Sequence, residues 1–422
     1  MKLFQLKKSL NTNMKNLTIV IYIFSILNSF GQTFTNYTTA EGLVDNNVLC
    51  ASKQDNGVMW FGTQNGISKF DGINWTNITT TTDTALISNT ITAIKIMSNG
   101  DLWVGTDFGV CKYSNSIWTS FTTADGLGDN RVKYITESSD GRIWIGEYDG
   151  LSIYDGANFT TYNMSDGIPF GGIQYISFDS NLDAWMGSGF GGLIQFDGNN
   201  FTIYNSNDGL LNNIVNSIAI DNQNKKWVGT SSGLSVFNNQ NLLQKNYTQM
   251  YLLPPPDTLN PVMGLGFDSR NLLWVGIYID YLLNGGIAMY NGYSWVDFNA
   301  SDGLIGPVIT DLIIDNQDQV WVTTSSGISK ITDVPAHINN TVNDDLIIYP
   351  NPSNGEFIFK SSLKKYQVKI YNIQGELIFS EKKNSYGELK INLSHIPKGI
   401  YIAKVENLTN SNTTTKKLII EK

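Results

Sequence analysis

The chain has 422 residues and a formal net charge of −9 at pH 7, and that charge is unevenly distributed. Residues 32–345 carry 31 acidic and 12 basic side chains, which would repel a phosphate backbone and argues against a nucleic-acid partner. Residues 346–422 carry 12 Lys and 6 Glu instead, so the composition changes along the chain.

The first 31 residues have the composition of a secretory signal peptide. Four lysines and no acidic residue occur there, and an apolar run covers Leu17–Leu27. A run of eleven residues is too short to span a bilayer but suits the apolar region of a signal. We therefore predict that residues 1–31 are a signal peptide, that the protein is exported through the periplasm, and that the mature chain has no integral membrane segment.

A tryptophan recurs through the middle of the chain at intervals of 41–47 residues. A Gly follows two residues later in six of the seven cases, and a second Gly followed by Leu, Ile or Val comes after it. A period of this length indicates a repeat architecture in which each unit packs on its neighbours. The seven tryptophans are Trp60, Trp103, Trp144, Trp185, Trp227, Trp274 and Trp321.

Each repeat contains four strand-like segments, separated by turns rich in Asn, Asp, Ser and Gly. The first segment begins with a β-branched residue, the second carries the Trp, and the third begins near the Gly-aliphatic pair. Four short strands per repeat predict one blade of a β-propeller. We therefore predict an all-β fold with a seven-bladed propeller over residues 32–332, in which the N-terminal strand 33–38 completes the last blade and removes an exposed edge.

The repeat resembles the two-component regulator propeller repeat. The resemblance is carried by Trp103–Thr106, Trp227–Thr230, Asp125–Leu127 and the segment Gly150–Gly156, and it extends over about residues 33–332. Members of that family are often periplasmic sensing modules of histidine kinases that detect glycans. This sequence shows no membrane helix or kinase region after the propeller, so we do not expect the signalling role to carry over.

Residues 333–345 are polar, so we predict that they form a linker. Short Lys-rich segments with the pattern of strands follow it. Their number and spacing predict a small Ig-like β-sandwich over residues 346–422. Tyr349–Pro352, Pro397–Tyr401 and the final Lys416–Lys422 resemble the type A C-terminal sorting domain of the type IX secretion system. That resemblance implies the type IX secretion machinery as a partner, passage across a Gram-negative outer membrane, and release or attachment at the cell surface.

Histidine is absent from the predicted propeller, because His337 lies in the linker and His395 in the predicted sorting domain. This excludes Ser-His-Asp or Cys-His catalysis and His-ligated zinc or iron from the propeller. The hairpin aspartates lack the spacing of a calcium loop, so we expect neither a bound metal nor a cofactor. Cys50 and Cys111 lie in different repeats, and we predict that both are buried free thiols.

The loops that enter the first strand and leave the second strand of each blade share one face of the propeller, because neighbouring strands are antiparallel. Loops on a rigid scaffold commonly carry binding groups. Aromatic residues in these loops would form a partial ring that stacks on sugars, or would instead pack the loops together. The candidate ligand-binding residues are Phe108, Arg131, Glu147, Tyr148, Asp149, Phe170, Phe190, Tyr278 and Tyr281.

An asparagine two residues before most first strands has two possible roles, as a partner for loop backbone or as a ligand for hydroxyls. The leading hypothesis is a secreted or cell-surface propeller that binds an extracellular glycan and is not an enzyme. One alternative is a polysaccharide-degrading enzyme that uses carboxylates such as Glu147 and Asp149. The other is a protein-interaction scaffold that binds a surface protein on the same face.

Overall fold

The computed structural model describes residues 32–250, 260–279, 284–292, 294–333, 346–361, 363–372, 374–385, 387–408 and 413–421. The chain divides into two compact units, with the boundary between residues 335 and 336. The predicted signal peptide and nearly all of the predicted linker lie outside the described residues. Within the described residues, no helix combines the length and the apolar character that a membrane crossing would need.

The first unit consists of seven antiparallel four-stranded sheets, which we number in chain order. Single 3-10 turns at Thr123–Asp125, Met164–Asp166 and Ser206–Asp208 precede sheets 3, 4 and 5. Sheet 1 contains β2 (Val48–Lys53), β3 (Met59–Thr63), β4 (Gly66–Phe70) and β5 (Trp75–Ile78); sheet 2 contains β6 (Ala93–Ile96), β7 (Leu102–Thr106), β8 (Gly109–Ser114) and β9 (Ile117–Phe121). Sheet 3 contains β10 (Val132–Glu137), β11 (Ile143–Glu147), β12 (Leu151–Tyr154) and β13 (Phe159–Tyr162); sheet 4 contains β14 (Ile173–Phe178), β15 (Ala184–Ser188), β16 (Leu193–Phe196) and β17 (Phe201–Tyr204); sheet 5 contains β18 (Val215–Ile220), β19 (Lys226–Thr230), β20 (Gly233–Phe237) and β21 (Leu243–Tyr247). Sheet 6 contains β22 (Val262–Phe267), β23 (Leu273–Ile279), β24 (Asn284–Tyr290) and β25 (Trp295–Phe298); sheet 7 contains β26 (Ile309–Ile314), β27 (Val320–Thr324), β28 (Gly327–Thr332) and β1 (Thr33–Tyr37).

The seven first strands form a closed ring. Each of β2, β6, β10, β14, β18 and β22 packs beside the next, and β26 packs beside β2. This radial arrangement around a central channel is that of a β-propeller, so the predicted all-β propeller fold is confirmed.

The first strand of the chain is the outer strand of the last sheet. β1 runs antiparallel to β28, with Thr33 opposite Thr332 and Tyr37 opposite Ile328. The Tyr37 ring stacks on Trp321, with ring centroids 5.8 Å apart. A strand from the beginning of the chain thereby covers an edge that β28 would otherwise expose.

The recurring tryptophans are buried between neighbouring sheets, and several are held by an aspartate of the first hairpin. The indole Nε1 of Trp185 donates to Asp179 at 3.1 Å, and that of Trp321 donates to Asp315 at 2.9 Å. The other carboxylate oxygen of Asp315 accepts backbone amides of the same hairpin. One residue therefore closes the turn and fixes the rotamer of the tryptophan.

The second unit is a two-sheet sandwich. A single hydrophobic cluster, which includes Phe357, Phe359, Val368, Ile370 and Val405, draws side chains from both sheets. One sheet contains β29 (Ile347–Tyr349), β30 (Glu356–Lys360) and β33 (Leu389–Asn392), and the other contains β32 (Leu377–Lys383), β31 (Tyr366–Asn372), β34 (Gly399–Asn407) and β35 (Thr413–Ile420).

Candidate ligand-binding site at the propeller mouth

The mouth is the end of the propeller where the second strands end and the first strands begin. In four sheets the second strand ends on a Thr whose hydroxyl donates to the carbonyl of the Gly three residues later. The same hydroxyl oxygen accepts the backbone amide two residues later. We call this pair of bonds the threonine bridge, and it occurs at Thr63, Thr106, Thr230 and Thr324.

Sheet 4 has Ser188 in place of the bridging threonine, and two phenylalanines project beside it. The Ser188 hydroxyl donates to the carbonyl of Phe170 at 3.4 Å and accepts the backbone amides of Phe190 and Gly191. Phe170 and Phe190 stack with ring centroids 5.7 Å apart and an angle of 19° between their planes. Their side chains are nevertheless 56% and 58% exposed, so the pair presents apolar surface to solvent.

Two glycines allow this loop to approach its neighbours closely. A Cβ atom on Gly171 would lie 2.7 Å from the Phe190 ring, and one on Gly172 would lie 2.0 Å from the carbonyl oxygen of Glu147 and 2.2 Å from that of Tyr148. Both glycines have positive φ angles, of 99° and 59°. Gly171 replaces the asparagine that five of the other six repeats have, and the replacement lets the phenylalanine pair lie against the loop of sheet 3.

The loop of sheet 3 carries a fixed arginine. The Arg131 guanidinium forms a fork with Asp129, with an Nε to Oδ1 distance of 3.0 Å and an Nη2 to Oδ2 distance of 2.5 Å. It also covers the Tyr148 ring at 3.9 Å and lies 3.5 Å from an oxygen of Asp149. The hydrogen bonds from Arg131 lower the pKa of Asp129, so this carboxylate stays charged and holds the guanidinium in place.

Arg131, Tyr148, Asp149, Phe170 and Phe190 therefore form one surface, which we call the mouth patch. Sheets 3 and 4 contribute all five residues, through loops that touch at Gly172. The patch combines exposed aromatic faces with an oriented cation and a carboxylate. Of the predicted site residues, these five come together.

Glu147 differs from the sequence prediction. It was expected as a carboxylate on the loop, but it is the last residue of β11 and only 1% exposed. Its Oε2 accepts the backbone amide of Asp129 at 2.9 Å, while its buried Oε1 has no hydrogen-bond partner among the described residues. Burial raises the pKa of Glu147 to about 8, so the side chain is mostly neutral at pH 7 and is not presented to a ligand.

The remaining predicted residues are scattered. Phe108 is 65% exposed on the loop of sheet 2, next to Asp107, which pairs with Lys133 at 3.8 Å. Tyr278 instead packs against the hydrophobic cluster around Trp274. Tyr281 lies outside the described residues, as does most of the long loop before β22.

The asparagine that precedes most first strands is a hydrogen-bond partner for the backbone of the loop before it. The side-chain oxygens of Asn46, Asn89, Asn130 and Asn213 each accept a backbone amide from the preceding loop, at 2.8–2.9 Å. These residues therefore brace the loops of the mouth. Cys50 and Cys111 are free and buried, as predicted.

The sequence reasoning missed the residues of the central channel. Asp311, Lys95, Tyr134 and Tyr175 line a cavity of about 370 Å³ enclosed by the first strands. The Tyr134 and Tyr175 rings lie 4.2 Å apart, and burial raises the pKa of Asp311 to about 6. A signal existed, because Tyr and Asp occupy the column in which other repeats have Cys, Ala, Ser or Gly. No cluster of three or more His, Cys, Asp or Glu that could hold a metal occurs in the described part of the chain.

Two families match the sequence. The family described as Two component regulator propeller matches residues 126–149, which lie in sheet 3. The family described as Secretion system C-terminal sorting domain matches residues 347–421, which form the second unit. No curated protein matches the chain.

Solved structures similar to this chain include extracellular propeller proteins. The extracellular domain of a protein described as a hybrid two component system from B. thetaiotaomicron is 17% identical, with a TM-score of 0.62, and the match covers 92% of this chain and 57% of that one. PorZ of Porphyromonas gingivalis is 15% identical, with a TM-score of 0.56 and coverages of 90% and 60%. The chain thus spans less than two thirds of the length of either protein.

A streptogramin B lyase is also similar, at 14% identity and a TM-score of 0.56, and the match covers 71% of this chain and 97% of the lyase. Identities this low establish a shared fold and no more. The chain therefore carries a two component regulator propeller repeat within an all-β propeller, followed by a secretion system C-terminal sorting domain, which implies involvement of the type IX secretion machinery.

Proposed function

We propose that this protein is exported to the cell surface or the medium, where its propeller binds an extracellular glycan at the mouth patch without transforming it. The sorting domain supports the exported location. The main observation in favour of a glycan is the exposed, stacked pair Phe170 and Phe190, whose loop meets the loop of the Arg131–Tyr148 pair at Gly172.

The chemistry of the mouth patch suits a sugar. Pyranose rings have apolar faces edged with hydroxyls, so they pack on aromatic rings while their hydroxyls bond to polar groups nearby. Arg131 supplies donors and Asp149 supplies acceptors, and the fork with Asp129 fixes the arginine before a ligand arrives. Because these groups are already ordered, binding would cost little additional side-chain entropy.

Binding without catalysis is supported by the state of the carboxylates. Glycoside cleavage commonly uses two carboxyl groups on either side of the scissile bond. Glu147 is enclosed in the blade, and Asp149 lies beside the Arg131 guanidinium. Neither arrangement offers an acid and a base that face each other across an open cleft.

The proposal is tested by following the melting temperature of the protein against a panel of polysaccharides and cell-surface glycans. A ligand that binds only the native state raises this temperature in a saturable manner. We expect such a shift with at least one glycan, a loss of the shift in Phe170→Ala and Phe190→Ala, and no reducing sugar released over time.

The matched control is Leu242→Ala, because Leu242 is 64% exposed in the β20–β21 turn at the opposite end of the propeller. This variant should keep the full shift. If no glycan changes the melting temperature, the ligand is not a sugar and the same face would be tested against surface proteins. Release of reducing ends would make the protein an enzyme and contradict the proposal.

A further inference from the structure

The central channel is distinct from the mouth patch. Its wall consists of the first strands of all seven sheets, and its cavity of about 370 Å³ lies in the range of small-molecule sites. At the mouth end of the channel, hydrogen bonds connect neighbouring sheets. Thr310 donates to the carbonyl of Val48 at 2.6 Å, and Thr92 donates to the carbonyl of Val132 at 2.7 Å. The shape of the cavity is therefore fixed before any ligand enters.

The charge of the channel is opposite to that of the propeller around it. Lys53, Lys95 and Lys133 line the cavity together with Asp311, and Lys133 pairs with Asp107 at 3.8 Å. Within the described residues, no carboxylate lies within ion-pairing distance of the Lys95 ammonium. Burial, and then the neighbouring Lys53, lower the pKa of Lys95, while the more distant carboxylates of Glu137 and Asp311 act in the opposite direction. Lys95 is half-buried, and an ammonium that is partly removed from water without a close counter-ion is costly, so a bound anion would lower that cost.

Asp311 attracts Lys95 without forming an ion pair with it, and the oxygens of Asp311 accept backbone amides instead. One oxygen accepts the backbone amide of Leu312 at 2.8 Å, and the other accepts that of Ala51 at 3.2 Å. Asp311 thereby joins sheet 7 to sheet 1. Its negative charge would also oppose a dianion, which favours a ligand with a single negative charge.

The channel also offers groups for the uncharged part of a ligand. Tyr134 and Tyr175 line the cavity, with the side chains of Gln174 and Asn216 nearby. Phenol and amide groups in a wall that is more polar than apolar suit a molecule with several hydroxyls.

We infer that the channel is a second binding site, which takes a carboxylate-bearing molecule of monosaccharide size with Lys95 as the partner of its carboxylate. This inference is independent of the glycan proposed for the mouth patch. The two sites differ in their residues, so variants separate them.

The test is calorimetric titration of the full protein with glucuronate, glucose and acetate at pH 7. We expect binding of glucuronate, at least tenfold weaker binding of glucose, which lacks the charge, and at least tenfold weaker binding of acetate, which lacks the ring. Lys95→Met should weaken glucuronate binding at least tenfold, and Tyr175→Phe, which removes only a hydroxyl, should weaken it severalfold. The control Lys245→Met changes an exposed lysine on β21 and should bind glucuronate normally.

The inference fails if the native protein does not bind glucuronate, if glucose binds equally well, or if Lys95→Met binds unchanged while folded. Equal binding of acetate would overturn the monosaccharide size. Phe190→Ala should retain glucuronate binding, whereas Lys95→Met should retain any glycan bound at the mouth patch. Loss of both ligands in either variant would contradict two separate sites.

Discussion

The second strands of the sheets are held by different side-chain hydrogen bonds at their two ends. At the hairpin end, an aspartate bonds the buried tryptophan in sheets 4, 5 and 7. At the mouth end, the threonine bridge is present in four sheets but is replaced by Glu147 in sheet 3, Ser188 in sheet 4 and Ile277 in sheet 6. Sheets 3 and 4 are adjacent and together carry the mouth patch. Both kinds of bond stabilise the fold, and two of the three departures from the threonine bridge coincide with the surface that we propose as the binding site.

The largest effect is expected at the hairpin end of sheets 4 and 5. Asp179 pairs with Lys226 at 3.1 Å, and both side chains are 0% exposed. Removing one partner of a buried ion pair leaves the other charge without compensation and costs about 3–5 kcal/mol. We expect Asp179→Ala to lower the free energy of unfolding by about that amount, measured in urea.

All ten tryptophans lie between residues 60 and 321, so their fluorescence reports on the propeller alone. The control is Asp221→Ala, which removes the same type of bond to Trp227 but no ion pair. It should cost about 1–3 kcal/mol. Equal losses in the two variants would contradict a special role for the ion pair.

The mouth end of sheet 3 should show a pH-dependent effect. The pKa of Glu147 is raised from 4.5 in the unfolded chain to about 8 in the fold, mainly by burial. Stability from this group is fully present below pH 4.5 and is lost as the pH rises through 8. With about 1.36 kcal/mol per pKa unit as an upper bound, the loss is on the order of 2–4 kcal/mol.

Glu147→Gln removes the ionisation and keeps the shape of the side chain. The difference between the unfolding free energies at pH 5 and pH 9 should shrink by on the order of 2–4 kcal/mol. Asp149→Asn, at an exposed position, is the control and should leave the difference nearly unchanged. An unaltered pH profile in Glu147→Gln would show that Glu147 ionises normally in the folded protein.

The sequence predicted the propeller well because its signals are repeated. A buried Trp, a β-branched first residue and turn-forming Asp or Gly recur in register, so each repeat supports the interpretation of the others. The partner of the orphan strand 33–38 also followed from the need to cover an edge, and β1 does pair with β28. The bonds between hairpin aspartates and tryptophans were not foreseen, because they depend on side-chain direction rather than on pattern.

The candidate site was harder to predict for two physical reasons. Glu147 occupies a loop position when the repeats are aligned, yet it pairs with Val132 in the β10–β11 register, and this pairing holds it in the blade. The channel residues Tyr134, Tyr175 and Asp311 come from strands that contain β-bulges, such as the shift between Val132 and Tyr134. A bulge interrupts the alternation of a strand, so Lys133 and Tyr134 both line the cavity.

A smaller effect is expected for the residue that joins the two phenylalanines. Ser188→Ala removes the hydroxyl that bonds Phe170 and the amides of Phe190 and Gly191. The lost bonds should cost about 1–1.5 kcal/mol of stability. Because the loops would lose their fixed geometry, we also expect severalfold weaker binding of the glycan found in the panel. Unchanged affinity would show that the phenylalanine pair is held by packing alone.

The smallest effect is expected where the threonine bridge is intact. Thr106→Val keeps the size of the side chain but removes the bonds to the Gly109 carbonyl, at 2.9 Å, and from the Phe108 amide, at 3.0 Å. We expect a loss of about 1 kcal/mol in urea unfolding and no change in affinity for the glycan. Compared with Ser188→Ala, this variant removes similar bonds from a loop outside the mouth patch. If Thr106→Val weakened glycan binding as much as Ser188→Ala does, the site would extend over sheet 2 and include Phe108, and the mouth patch would have to be enlarged.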